Sequence, residues 1–82
     1  MTVRVRGLVV KTNKEVGHRQ GMTVAQALGE AEVSAPAGST VTVYQMDGRN
    51  VAGERPVPLN DLATALVADN ETVVVTPPVA NG

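Results

Sequence analysis

The sequence predicts an α+β domain in which a valine-rich sheet carries one helix across its face. Three observations lead there. The period of apolar residues switches from two to 3.6 and back again along the chain. The apolar share is 43%, yet it holds no Phe or Trp and a single aromatic residue, Tyr44. Its mass is mostly Val, which is stiff at its first side-chain torsion and packs well on a pleated surface. With 82 residues the chain has room for one domain, of a size at which stability is marginal.

The elements follow in order. Residues 2–10 alternate, with Val3, Val5 and Val9 on one face and Thr2, Arg4 and Arg6 on the other, as in a half-buried strand. Gly7 interrupts that strand and marks a bulge or a close approach. Lys11-Thr-Asn-Lys14 reads as a turn, with Asn13 suited to a left-handed conformation. A polar return strand near 15–20 completes a hairpin and belongs at a sheet edge. Val24, Ala27, Leu28 and Ala31 then form one helical stripe. Thr23 and Gln26 match a capping box at its start. Gly29 costs this helix roughly 1 kcal/mol relative to Ala, and Pro36 ends any continuation. A helix of about ten residues is too short to stand alone, so it must lie on the Val face of the hairpin.

Alternation returns over 40–46, with Val41 and Val43 opposed to Thr40, Thr42 and Tyr44. Asp47-Gly48 is a tight-turn signal, and Arg49-Asn-Val-Ala is the expected return strand, with the ladder broken by Pro56 and Pro58. Leu59, Leu62, Ala63, Leu66 and Val67 fit a second, short helical stripe capped by Asn60. Asp69-Asn70 turns the chain into Val73-Val-Val75, a run apolar on both faces that suits a central strand. The expectation is a mixed sheet of four to five strands, one main helix and one short helix.

Composition excludes several functions. The absence of Cys removes disulfides, thiolate metal sites and thiol nucleophiles. His18 is the only histidine and has no carboxylates at ligand spacing, so no metal site is expected. Ser34 and Ser39 flank a loop without a strained nucleophile turn, and the glycines form no phosphate cradle. The chain is therefore expected not to be an enzyme. No apolar run approaches the ~20 residues that cross a bilayer. The early arginines argue against a signal peptide, so the expected location is cytoplasmic.

Charge is unevenly spread. Residues 1–20 hold Arg4, Arg6, Lys11, Lys14 and Arg19 against Glu15 alone, whereas the rest is acidic. Single-stranded nucleic acid needs aromatic platforms that are missing here, so no nucleic-acid partner is expected. Two readings remain for the basic hairpin: a solvated, guarded sheet face, or docking onto an acidic partner surface. Tyr44 is equally open, as the anchor of an interface or as cover for the sheet edge. The candidate docking residues are Tyr44, Arg4, Arg6, Lys11 and Lys14.

A hairpin, a helix across it, a second hairpin, a short helical segment and a last strand beside the first is the element order of ubiquitin-like β-grasp proteins. The ending Asp69-Asn-Glu-Thr-Val-Val-Val-Thr-Pro-Pro-Val-Ala-Asn-Gly82 resembles that of the molybdopterin-synthase small subunit and related sulfur carriers. There an acidic turn leads into an apolar strand, then Pro-Pro-Val, a small residue and a terminal diglycine. Thr23-Val-Ala-Gln-Ala-Leu28 resembles the start of the family's helix. The chain departs from the pattern at Asn81, where the family has Gly, and in a longer stretch over Leu62–Ala68. Bacterial ubiquitin-like modifiers vary more at the penultimate position.

The resemblance implies a β-grasp domain over 1–76 and an extended, flexible tail over 77–82. It implies that the Gly82 carboxylate, preceded by Asn81, is adenylated by an ATP-dependent activating enzyme and transferred to an acceptor protein. In the sulfur-carrier version it becomes a thiocarboxylate for a cofactor-synthesis enzyme. ATP belongs to the partner, and no cofactor, nucleic acid or membrane is implied for this chain. Asn81 tilts the expectation toward a protein modifier. Glycine at the end lets backbone thread a narrow channel. Pro77 and Pro78, ahead of Val79 and Ala80, lack amide donors and favour an extended path. The rival expectation is a non-covalent interaction module with an inert tail.

Overall fold

Alternating valines lay down the sheet. The structure, a computed structural model, describes residues 2–7 and 12–78. Strand β1 (Thr2–Gly7) buries every second residue, Val3, Val5 and Gly7. It is followed by β2 (Thr12–Gly17), helix α1 (Val24–Glu30), β3 (Thr40–Asp47), β4 (Asn50–Val57), a 3-10 turn over Leu59–Asp61, and β5 (Glu71–Thr76). The strands make one five-stranded sheet in the order β2-β1-β5-β3-β4. β1 and β5 run parallel, and every other neighbouring pair is antiparallel. The last strand is therefore central and beside the first, and the polar second strand is an edge, as the sequence predicts.

Strand register assigns each side chain a face. Lys14, Val5, Val73, Val43 and Arg55 form one row across all five strands, and Gly7, Val75, Val41 and Val57 lie in the next. Val3, Val5, Val41, Val43, Val73 and Val75 are fully buried on this inner face. α1 covers it with Val24, Ala27 and Leu28, and Met22 is the largest fully buried side chain. Without aromatic rings the core fills its volume with many small branched pieces.

Four local expectations are corrected. Thr12, Asn13 and Lys14 are strand residues paired with Gly7, Arg6 and Val5, not a turn. Burying Val16 opposite Val3 fixes a register that extends the ladder back to Thr12. Val9 and the connection over 8–11 lie outside the described residues.

Helix α1 stops well before Pro36. Glu32 takes a left-handed conformation (φ 58°), and the Val33 and Glu32 N–H groups donate to the Leu28 and Gly29 carbonyls at 2.9 and 3.2 Å. This Schellman closure satisfies the last carbonyls and leaves no direction for a further turn. At the other end Thr23 and Gln26 complete the capping box as expected.

β4 runs through Pro56 to Val57. Its position at the sheet edge allows a residue without an N–H. The stretch from Leu59 forms a 3-10 turn and further turns in place of a longer helix. Its carbonyls serve another purpose. Those of Leu62 and Ala65 accept from the Ala25 and Val24 N–H groups of the first turn of α1 at 2.8 and 2.9 Å. They satisfy helix donors that otherwise have no partner, and a second helix would have consumed them internally.

Val73 tests the packing. It is enclosed by Val5 and Val43, so Val73→Ala is expected to cost about 2–3 kcal/mol in urea unfolding followed by far-UV circular dichroism. Val74→Ala, on the opposite face, is expected to cost under about 1 kcal/mol.

Candidate functional site

The side of the sheet away from α1 has no covering element among the described residues. Its rows read Asn13–Arg6–Val74–Thr42–Pro56 and Glu15–Arg4–Thr72–Tyr44–Glu54. A register shift between Gln45 and Met46 leaves Ala52 as the extra residue and sets Met46 opposite Val51. The result is a shallow open groove of about 270 Å³ lined by Arg4, Arg6, Tyr44, Met46, Val51, Thr72 and Val74. Tyr44 is half-buried within it, and Val51 remains 57% exposed.

Of the expected docking residues, Tyr44, Arg4 and Arg6 therefore come together. Lys14 does not. It pairs with Val5 and so belongs to the helix side of the sheet, at the edge. Lys11 lies outside the described residues. The basic hairpin is further divided by its own acids. Arg4 bonds Glu15 across the ladder at 3.0 Å, and Arg19 grips Glu30 of α1 with two bonds of 2.8 and 3.2 Å. Sequence proximity put five cations in one hairpin, but strand alternation sets Arg4 and Arg6 on one face and Lys14 on the other.

The tail leaves from the central strand. Thr76 at the end of β5 and Pro77 and Pro78 beyond it are exposed. Pro78 runs close to the turn at Gly38, where an added Cβ would stand 3.2 Å from the Pro78 Cβ. Gly38 has φ +86°, so that position favours glycine on both counts. Val79, Ala80, Asn81 and Gly82 lie outside the described residues.

A third feature escaped the sequence reading. Glu71 opens β5 with its side chain only 6% exposed. Arg55 of β4 binds it with two bonds, of 2.7 and 3.1 Å, and also donates to the Leu66 carbonyl at 2.7 Å. The Ala68 N–H donates to the same carboxylate at 2.6 Å. Burial is the largest influence on the Glu71 carboxyl and pushes it up. The bonds from Arg55, Ala68 and Gln45, with the Arg55 charge, together outweigh burial and hold the carboxyl below its ordinary value. The bond to Glu71 in turn raises the Arg55 guanidinium, against a smaller opposing effect of burial. The signal was present in the sequence: Glu71 has the parity of Val73 and Val75, and Arg55 that of Val57.

His18 is not a free surface residue. Its Nε2 lies 3.0 Å from the Val67 carbonyl, which can only accept, so Nε2 carries the proton. The Ser39 hydroxyl donates to the Pro36 carbonyl in the loop before β3. Among the described residues no group of three or more His, Asp or Glu side chains is placed to hold a metal. No helix among them is long and apolar enough to cross a membrane.

Comparison of the chain with protein-family models, with curated proteins and with solved structures finds no match. The geometry thus stands alone: an open sheet face, a Pro-Pro exit from the central strand, and, on the opposite side, a buried carboxylate paired with a half-exposed arginine.

Arg55→Met should destabilise more than Glu71→Gln, because Arg55 is 38% exposed and can turn to water, whereas Glu71 cannot. The expected losses are about 2 and 1 kcal/mol, discounted for the solvent around Arg55. Since the folded state depresses the Glu71 carboxyl, its contribution is complete above about pH 5 and is lost as pH falls through the folded value. Urea midpoints between pH 7 and pH 3 should fall less steeply in Glu71→Gln than in the unmodified chain.

Proposed function

We propose that the chain is a ubiquitin-like β-grasp protein that acts as a carrier or modifier through the carboxylate of Gly82. The observation that carries this reading is the sheet order β2-β1-β5-β3-β4 with β5 parallel to β1 at its centre, running straight into an exposed Pro77-Pro78. A reactive end needs a rigid body that an enzyme can recognise and a thin segment that leaves it without strand pairing. The central strand supplies the anchor, and the two prolines withhold the donors that would extend the ladder.

In the proposed reaction, an oxygen of the Gly82 carboxylate attacks the α-phosphorus of ATP in a partner enzyme. Pyrophosphate leaves and an acyl-adenylate remains. A thiol or amine then attacks the acyl carbon, expelling AMP and forming a thioester or an amide. With a sulfide donor the product is a thiocarboxylate. Asn81 favours transfer to a protein acceptor over the sulfur-carrier variant, since sulfur carriers keep a glycine there. This chain contributes no catalytic side chain.

The open face around Tyr44 favours a second reading, a module that binds partners without covalent transfer, with an inert tail. Adenylation separates the two. With an activating enzyme from the same cell and labelled ATP, a carrier supports pyrophosphate exchange, and deletion of Gly82 abolishes it. Exchange that is absent, or unchanged by the deletion, favours the binding module. The reading also requires Gly82 to end the working protein with a free or conjugated carboxylate, which the intact mass of protein recovered from its native cell checks directly.

A further inference from the structure

We propose that the open face of the sheet is a self-complementary surface that pairs with a second copy of this chain. This inference is independent of what happens at the tail. Its basis is the placement of charge across one row, Glu15–Arg4–Thr72–Tyr44–Glu54. A cation stands on β1 and an anion on β4, with a half-apolar floor between them. Arg6, one row along on β1, adds to the cationic margin. Among the described residues neither Arg6 nor Glu54 takes part in an ion pair.

Strands lie about 4.8 Å apart, so β1 and β4 are separated by roughly 14 Å, with their midpoint between β5 and β3. A two-fold axis running along the strands above that midpoint lays β1 of one copy over β4 of the other. Because Arg4 and Glu54 share a row, each Arg4 then faces the second copy's Glu54, and the contact occurs twice. Tyr44 faces the second copy's Thr72, and Val74 faces its Thr42. Sheets stacked this way pack about 10 Å apart with strands within about 30° of each other.

Charge also selects among alternatives. An axis running across the strands would set β1 on β1 and bring Arg4 and Arg6 against their own copies. A uniformly acidic partner would be drawn to the arginines but repelled by Glu54. The face as a whole is balanced by Glu15 and Glu54, which suits another copy of itself. Its extent is modest. The four strands from β1 to β4 overlap over about three rows, which gives roughly 800 Å² buried over both copies, the size of a weak, transient contact. The expected association is weak and reversible, with Kd on the order of 100 µM.

The test uses the full chain in sedimentation equilibrium from about 10 µM to 1 mM. Dimer formation should weaken as salt rises. Arg4→Glu and Glu54→Arg are exposed changes, and far-UV circular dichroism verifies that each variant is folded. Alone, each places like charges together at both contacts, and self-association should fall at least about tenfold. Mixed in equal amounts, the two variants should associate again, because every contact in the mixed pair is then complementary. Lys14→Glu carries the same net charge as Arg4→Glu but lies on the helix side of the sheet. Lys14→Glu alone should therefore self-associate as the unmodified chain does. A chain that stays monomeric to 1 mM, or a Lys14→Glu change that weakens self-association as much as Arg4→Glu does, overturns the proposal.

Discussion

The carboxylate of Glu71 stands at the first position of the central strand, nearly out of water, and three groups, from Arg55, Ala68 and Gln45, converge on it. An isolated charge there would be very costly, so the surroundings must supply donors. Arg55 reaches it from β4, across the intervening β3, and the Ala68 backbone reaches it from the connection before β5. Through Arg55 the same cluster holds the Leu66 carbonyl. That connection in turn feeds the start of α1, where Val24 and Ala25 donate to Ala65 and Leu62, and Thr23 bridges Leu66. One buried charge therefore ties the outer hairpin, the central strand and the helix start into a single arrangement. A valine core has few large side chains with which to impose such specificity by shape.

The architecture was legible in the sequence because it rests on period. Alternating valines and the stripe of α1 give the right elements in the right order, and the apolar run of β5 gives its central place. Details that depend on pairing were not legible. Whether Thr12 to Lys14 turn or pair depends on where Val16 finds burial, which is a non-local matter. Pro56 reads as a break until β4 is known to be an edge. The stripe from Leu59 looked helical, but its carbonyls were needed by another helix's unpaired donors. In each case a local preference yielded to a hydrogen-bonding need elsewhere in the chain.

The same division holds for the site. Tyr44, Arg4 and Arg6 were found by type and parity, and they do share one groove. Grouping Lys14 with them treated neighbours in sequence as neighbours in space, which a strand forbids at odd spacing. Glu71 was overlooked because acidic residues near a turn are usually solvated. Its parity with Val73 and Val75 was the available warning. The two faces are consequently specialised: packing and the ion pair occupy one, and the other is left open to contact. Both outer strands are poor templates for further pairing, β2 through its polar residues and β4 through Pro56 and its bulge. Association between molecules is thereby directed to faces rather than edges.

The location of Tyr44 has an optical consequence. It is the only aromatic side chain, and it sits on the open face, outside the valine core. Ultraviolet absorption, intrinsic emission and aromatic dichroism therefore monitor that surface and little else. Melting of the core would register mainly through the peptide bands, whereas a molecule settling on the sheet would announce itself through one ring. The protein carries, in effect, a built-in reporter for the surface on which a partner would dock.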